Sequence, residues 1–198
     1  MGVVDLRYVY DDLLTMPDDG HRYELLAGDL MVSPSAMPRH QHIAKNLIVA
    51  LSRWEAARLG RVYSAPLDVV LDRHTVFEPD VLFIHAEHLA IVTESPVKGP
   101  PDLVVEVLSD STRRVDLGRK LRAYGRYGVN EYWAVDPAEG TVQVFRRDGP
   151  AFVATDRLSA GDAITYLGCR SPSPTSCRSD RKAAVVHDLI YGSRPLGP

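Results

Sequence analysis

Cysteine is nearly missing: the 198 residues hold two, Cys169 and Cys177, both in a late polar stretch and too few to form a four-ligand zinc site alone. Strong charge of one sign is missing too. The net charge is −3, so no global positive field announces a nucleic-acid partner, and any such contact needs a local patch. Met1–Tyr10 shows no basic start followed by an apolar run, and no stretch approaches the apolar length that spans a bilayer. A Ser-His-Asp elbow, a phosphate-cradling glycine loop and a dinucleotide fingerprint are all lacking, which argues against hydrolases and nucleotide oxidoreductases of those types. No internal repeat is visible. With an apolar fraction of 45% and a charged fraction of 25%, the expectation is a cytoplasmic, single-domain protein with no membrane partner.

What is present is a pair of carboxylates on apolar strands. Phe77-Glu78-Pro79-Asp80-Val81-Leu82-Phe83-Ile84 and Pro101-Asp102-Leu103-Val104-Val105-Glu106-Val107-Leu108 read as strands buried on both faces. An ionised Glu106 inside such a strand is costly unless something positive meets it. Asp80 follows a proline suited to a strand's first residue. Taken singly, Glu106 reads as a buried acid paired with Arg113 or Arg114, and Asp80 as a turn or capping residue. Taken together they converge on a divalent cation, which wants carboxylate oxygens from rigid elements, and so point to a metal-dependent phosphodiesterase.

The surrounding pattern is mixed α/β (α+β). A short helix over Val9–Met16 and a hairpin of Arg22–Leu26 with Asp29–Val32 lead into a long helix, with Ile43, Leu47, Ala50, Leu51, Trp54 and Ala57 at helical spacing and Gly60 as its stop. Strands are predicted at Leu67–Leu71, Asp80–Ile84 and Leu103–Leu108, then a helix over Arg113–Tyr127 that Gly118 and Gly125 weaken. A hairpin of Tyr132–Asp136 and Thr141–Arg147 follows. The domain is expected over 1–166, with 167–198 as a divergent, mobile tail: Ser171–Asp180 has no apolar period, and Ala183–Ile190 reads as surface with at most a short helix. His85 and His88 flank Glu87 at a spacing able to bind metal, but surface placement is the expectation. His40 is placed at the inner edge of the first long helix.

Pro-Asp followed by a strand carrying Glu resembles the PD-(D/E)-x-K nuclease superfamily. Arg22-Tyr23-Glu24-Leu25 with Gly28, Ser33-Pro34 with His40, and Ala65-Pro66-Leu67-Asp68-Val69 extend the likeness to the bacterial Uma-two-type family of restriction-endonuclease-like proteins. Pro101–Glu106, Ser111-Thr112-Arg113, Asp116, Lys120, Tyr124 and Gly128–Trp133 complete the series, which spans about 22–166. The resemblance implies a mixed central sheet flanked by helices, Asp80 and Glu106 as ligands of Mg²⁺ (or Mn²⁺), and Glu24 as an auxiliary acid. Leu108 stands where the superfamily name demands lysine; in the Uma-two-type pattern that lysine has moved to the following helix, here Lys120. Without the resemblance, Lys120 reads as the partner of Asp116, and Glu24 equally as a solvent-facing hairpin residue. Such chains usually end in an apolar strand introduced by Pro-Gly-Phe and a short helix, whereas nothing of that kind follows Ala163-Ile164-Thr165. A reading-frame change or a lineage-specific tail would explain it, and the final strand is expected to be missing.

The implied chemistry is phosphodiester hydrolysis by an ion-activated water, with Lys120 orienting the water or offsetting charge on the phosphate. The helix 113–127 carries a net +5, which suits phosphate contacts from Arg113, Arg119, Arg122 and Arg126, or else a solvated face. The expectation is therefore a Mg²⁺-dependent endonuclease acting on nucleic acid, DNA before RNA. The alternatives are a nucleic-acid-binding or protein-interaction module with an inactive site. A second copy of the chain is left open as a partner.

Overall fold

The computed structural model describes residues 7–166 and 182–192. In chain order, α1 (Tyr10–Leu13), β1 (His21–Leu26) and β2 (Asp29–Pro34) precede the long helix α2 (Pro38–Ala56). Next come β3 (Gly60–Ser64), β4 (Val69–Asp72), β5 (Thr75–Phe77), β6 (Val81–His85), a 3₁₀ turn (Ala86–Ile91), β7 (Val97–Lys98) and β8 (Leu103–Val107). A helical run follows: α3 (Arg113–Val115), a π turn (Asp116–Lys120) and α4 (Leu121–Tyr127). β9 (Glu131–Asp136), β10 (Thr141–Asp148), β11 (Ala151–Leu158), β12 (Ala163–Thr165), β13 (Lys182–Val185) and α5 (Val186–Tyr191) complete the described chain.

The mixed sheet flanked by helices is what forms. A six-stranded sheet runs β11-β10-β9-β8-β6-β3, and a five-stranded one runs β2-β1-β5-β4-β7. β8 and β9 are parallel, so the chain must cross over between them, and the α3–α4 run is that crossover. Alternation along β8 sends Leu103, Val105 and Val107 toward α2, where they join Ile43, Leu47, Leu51 and Trp54, with Phe83 and Trp133. Val104 and Leu108 face the other way and pack with Ala123, Tyr124 and Tyr132. Covered on both faces, β6, β8 and β9 are buried along their whole length, which is why their sequences run apolar without polar alternation.

β3, β5 and β11 are strands that the periodicity does not reveal. Gly60 does not stop α2; the helix ends at Ala56, and Gly60 opens β3. A Cβ there would lie 2.1 Å from the carbonyl oxygen of Ile84, so glycine serves the close approach of β3 to β6. Gly125 likewise has a packing reason, since a Cβ would meet Phe152 at 3.1 Å where α4 leans on β11. The surface reading of 183–190 is overturned as well. β13 pairs with β12, and Val186, Leu189 and Ile190 of α5 are buried in the α2-side core. A terminal strand and short helix are thus present without the Pro-Gly-Phe lead. Cys169, Cys177 and Ser171–Asp180 lie outside the described residues. Among the described residues no helix is long and apolar enough to cross a membrane.

Candidate functional site

The two acids start from strand register. Val81 of β6 stands opposite Val105 of β8, and one further step of the antiparallel pairing sets Asp80 opposite Glu106. The Asp80 N–H points at Glu106 Oε2, 3.4 Å away, and the Val107 N–H donates to Asp80 Oδ2 at 2.8 Å. Both carboxylates are buried. Glu24 comes from the other sheet, on β1, and it is buried rather than solvent-facing; its Oε1 accepts the Glu78 N–H at 2.8 Å.

Lys120 closes the group. Its Nζ lies 2.7 Å from Glu106 Oε1, 2.9 Å from Glu24 Oε1 and 3.8 Å from Asp116 Oδ1. The Asp116 pairing and the placement beside Glu106 and Glu24 are therefore both present. The π turn holding Asp116 and Lys120 buries both ends of that pair, and such turns recur at functional sites. Lys120 loses solvation on burial, yet Glu106, Glu24 and Asp116 outweigh that loss and hold it firmly cationic. It can orient and neutralise; it is not a base. Burial pushes Glu106 up to about 8 against the pull of Lys120, with Asp80, Asp116 and Glu24 adding to the rise. Tyr124 donates from its hydroxyl to Glu106 Oε1 at 3.3 Å.

Around Asp80 an arginine and a histidine gather. Arg22 Nη1 lies 3.0 Å from Asp80 Oδ1 and its Nε lies 2.8 Å from Glu78 Oε1, while His40 Nε2 lies 2.9 Å from Asp80 Oδ2. Burial works against the Asp80 charge, but His40, Arg22 and the Val107 N–H together hold the carboxyl below its usual range. Arg22 and Glu78 are the site residues that the sequence reading missed. The signal was available: residues two apart on a strand share a face, so Glu24 turned inward takes Arg22 with it. The cluster borders a cavity of about 350 Å³ whose lining includes Arg22, Glu24, Asp80, Glu106, Lys120 and Arg113.

The four arginines read as phosphate contacts do not share one situation. Arg113 at the cavity pairs with Asp136, and Arg119 pairs with Asp29. Arg122 and Arg126, one turn apart on α4, are exposed and form no ion pair with a described residue. Of the two histidines expected at the surface, His88 is exposed and His85 is not. His85 is buried against Phe83 and Tyr166 at the end of β6, and His88 bonds Asp102 through Nδ1 at 2.9 Å. Their ring centroids are 6.5 Å apart, too far for two imidazoles to share one tetrahedral ion at roughly 2.0–2.1 Å per nitrogen.

For a divalent cation the fitting donors are Asp80 and Glu106: hard oxygens, adjacent on rigid strands, inside a group where Glu24, Glu78, Asp80, Glu106 and Asp116 outnumber the permanent cations Arg22 and Lys120. Among the described residues no three acids, histidines or cysteines form a ready cage. Two carboxylates with the remaining positions left to water is the manner in which Mg²⁺ is commonly held.

The family model Uma2, described as "Putative restriction endonuclease", matches residues 10–167. A solved structure from Anabaena variabilis, described as a "putative nuclease belonging to DUF820", is similar at a TM-score of 0.70 and 17% identity, over 92% of this chain and 97% of the other. At that identity the likeness shows the fold. No curated protein matches the chain.

Proposed function

The chain belongs to the Uma2 family, and from that membership we propose that it is an endonuclease hydrolysing phosphodiester bonds of nucleic acid, DNA before RNA, with Mg²⁺ or Mn²⁺ held by Asp80 and Glu106. The observation that carries this reading is Lys120, buried with Nζ between Glu24 and Glu106 at the edge of a cavity. A charged group this deep among acids is a poor investment for stability alone, and perturbed titratable clusters in clefts mark functional sites. The cation's chemistry here is polarisation of the phosphoryl oxygen and activation of the attacking water. Lys120, fixed as a cation, orients that water or offsets charge developing on the phosphate. Glu24 steadies Lys120 from the opposite sheet. Arg122 and Arg126 meet flanking phosphates, and Arg113 and Arg119 join them by giving up Asp136 and Asp29. We take 1–166 as the catalytic domain, with the terminal strand and helix completing its core.

The test is cleavage of duplex DNA, single-stranded DNA and RNA with Mg²⁺, Mn²⁺ or chelator, comparing the wild type with Asp80→Asn. Metal-dependent cleavage that Asp80→Asn abolishes is expected. Cleavage that survives chelation, or that Asp80→Asn leaves at full rate, sinks the proposal.

A further inference from the structure

We propose that Arg22 is a positioning residue that covers the cation-accepting oxygen of Asp80 until a phosphodiester arrives, so that ion and nucleic acid bind cooperatively. The inference rests on the reading of Asp80 and Glu106 as metal ligands and adds to it the control of when they are available. It starts from the inequality of the carboxylate oxygens. Asp80 Oδ2 accepts the backbone N–H of Val107 at 2.8 Å and faces His40 Nε2 at 2.9 Å. The Val107 bond belongs to the frame of β8 and is not given up. Asp80 Oδ1 has Arg22 Nη1 at 3.0 Å, a side-chain partner that can leave. On Glu106, Oε1 receives Lys120 and Tyr124, while Oε2 faces the Asp80 N–H at the longer distance of 3.4 Å. The oxygens with room for a cation are thus Glu106 Oε2 and Asp80 Oδ1, and Arg22 sits on the second.

Arg22 is built to let go without leaving. Its Nε is held by Glu78 Oε1 at 2.8 Å, so the guanidinium can turn about that bond and free its Nη side. It lines both the cavity of about 350 Å³ beside Lys120 and a neighbouring one of about 430 Å³ bordered by Lys45, Glu78 and Pro66. A guanidinium forks onto phosphate as readily as onto carboxylate. A dication entering beside Arg22 alone meets like charge. Entering with a phosphodiester, it meets a guanidinium already engaged by the phosphate. Two like-charged groups sharing one carboxylate therefore exclude each other until an anion is supplied, which is a coupling free energy between two ligands.

The experiment is calorimetric titration of Mn²⁺ into the full chain as wild type, Arg22→Gln and Arg22→Lys, each with and without a duplex oligonucleotide, with Asp80→Asn as the zero. Arg22→Gln is expected to bind Mn²⁺ at least fivefold more tightly than the wild type without DNA, and to lose the further tightening that DNA brings. Arg22→Lys, which keeps the charge but not the Nε tether, should fall between the two, and it carries the test if Arg22→Gln does not fold. A merely structural arginine would weaken Mn²⁺ binding when replaced, so the sign of the change decides. Wild-type binding that both variants leave unchanged or weaken overturns this inference and spares the metal site. No Mn²⁺ binding by the wild type, even with DNA, overturns the metal-site reading and this inference with it.

Discussion

Three carboxylates converge on one amino group at Lys120, and the stability of the site hangs on that charge. Replacing Lys120 by alanine leaves Glu24, Glu106 and Asp116 buried without their cation, a change that typically costs ~3–5 kcal/mol. We expect Lys120→Ala to lose stability on that scale in denaturant titration and turnover by about 10²–10³-fold. The double variant Lys120→Ala/Glu106→Gln should regain part of the stability but none of the activity; equal stability of the single and double variants would show that Glu106 is not the strained partner. Far from the cavity, His88 offers a pH handle. Its hydrogen bond to Asp102 raises its pKa above the usual 6.5, with burial working the other way. A raised folded-state value means that the contribution to stability is full below about 6.5 and is lost as pH climbs through the folded pKa. The stability difference between wild type and His88→Asn should accordingly shrink as pH rises above about 6.5, and a difference that stays constant with rising pH would contradict the pairing.

Along the helical run, two glycines that look alike in sequence part company. Gly118 in the π turn has nothing within 4 Å of a would-be Cβ, whereas at Gly125 that atom would stand 3.1 Å from the Phe152 ring and 3.3 Å from the β11 backbone. Gly118→Ala should gain up to ~1 kcal/mol from helix propensity. Gly125→Ala should lose about 1–3 kcal/mol by overpacking, with the two melting temperatures moving in opposite directions. At the other end, α5 is a core element despite its polar approach. Leu189 is buried with Val186 and Ile190 against α2, so Leu189→Ala is expected to cost ~2–5 kcal/mol. A loss below ~0.5 kcal/mol would return 183–190 to the surface.

For the molecule as a whole, a net charge of −3 leaves nucleic-acid affinity to local features. Arg114, Arg122 and Arg126 are exposed cations of the crossover run with no ion pair to a described residue, while Arg113 and Arg119 already hold Asp136 and Asp29. Alanine at Arg122 or Arg126 should each flatten the log–log salt dependence of duplex binding by about 0.9. Alanine at Arg119 should change it less, because its ion pair must be broken first. Equal effects at all four arginines would mean that the ion pairs do not compete with phosphate.

The central strands were legible because burial on both faces writes itself as an unbroken β-branched run, and α2 because its core face repeats at 3.6 residues. Asp80 and Glu106 stood out for the same reason: a carboxylate in such a run has nowhere to be solvated. Glu24 and Lys120 needed likeness to a family, since a hairpin acid and a helical lysine have many uses, and nothing local says that β1 of one sheet and a π turn beside the other meet over the same cavity. β3 and β11 escaped because strands with little burial carry no readable period, and β5 because its three residues, though buried, are too few to show one. Local periodicity and the cost of burying charge were properties of the chain itself. Which cation answers which carboxylate, with Lys120 at Glu106 and Arg22 at Asp80, was decided by the crossing of β1, β6, β8 and the π turn, because ion pairing depends on distances of a few ångströms between residues as many as 96 positions apart.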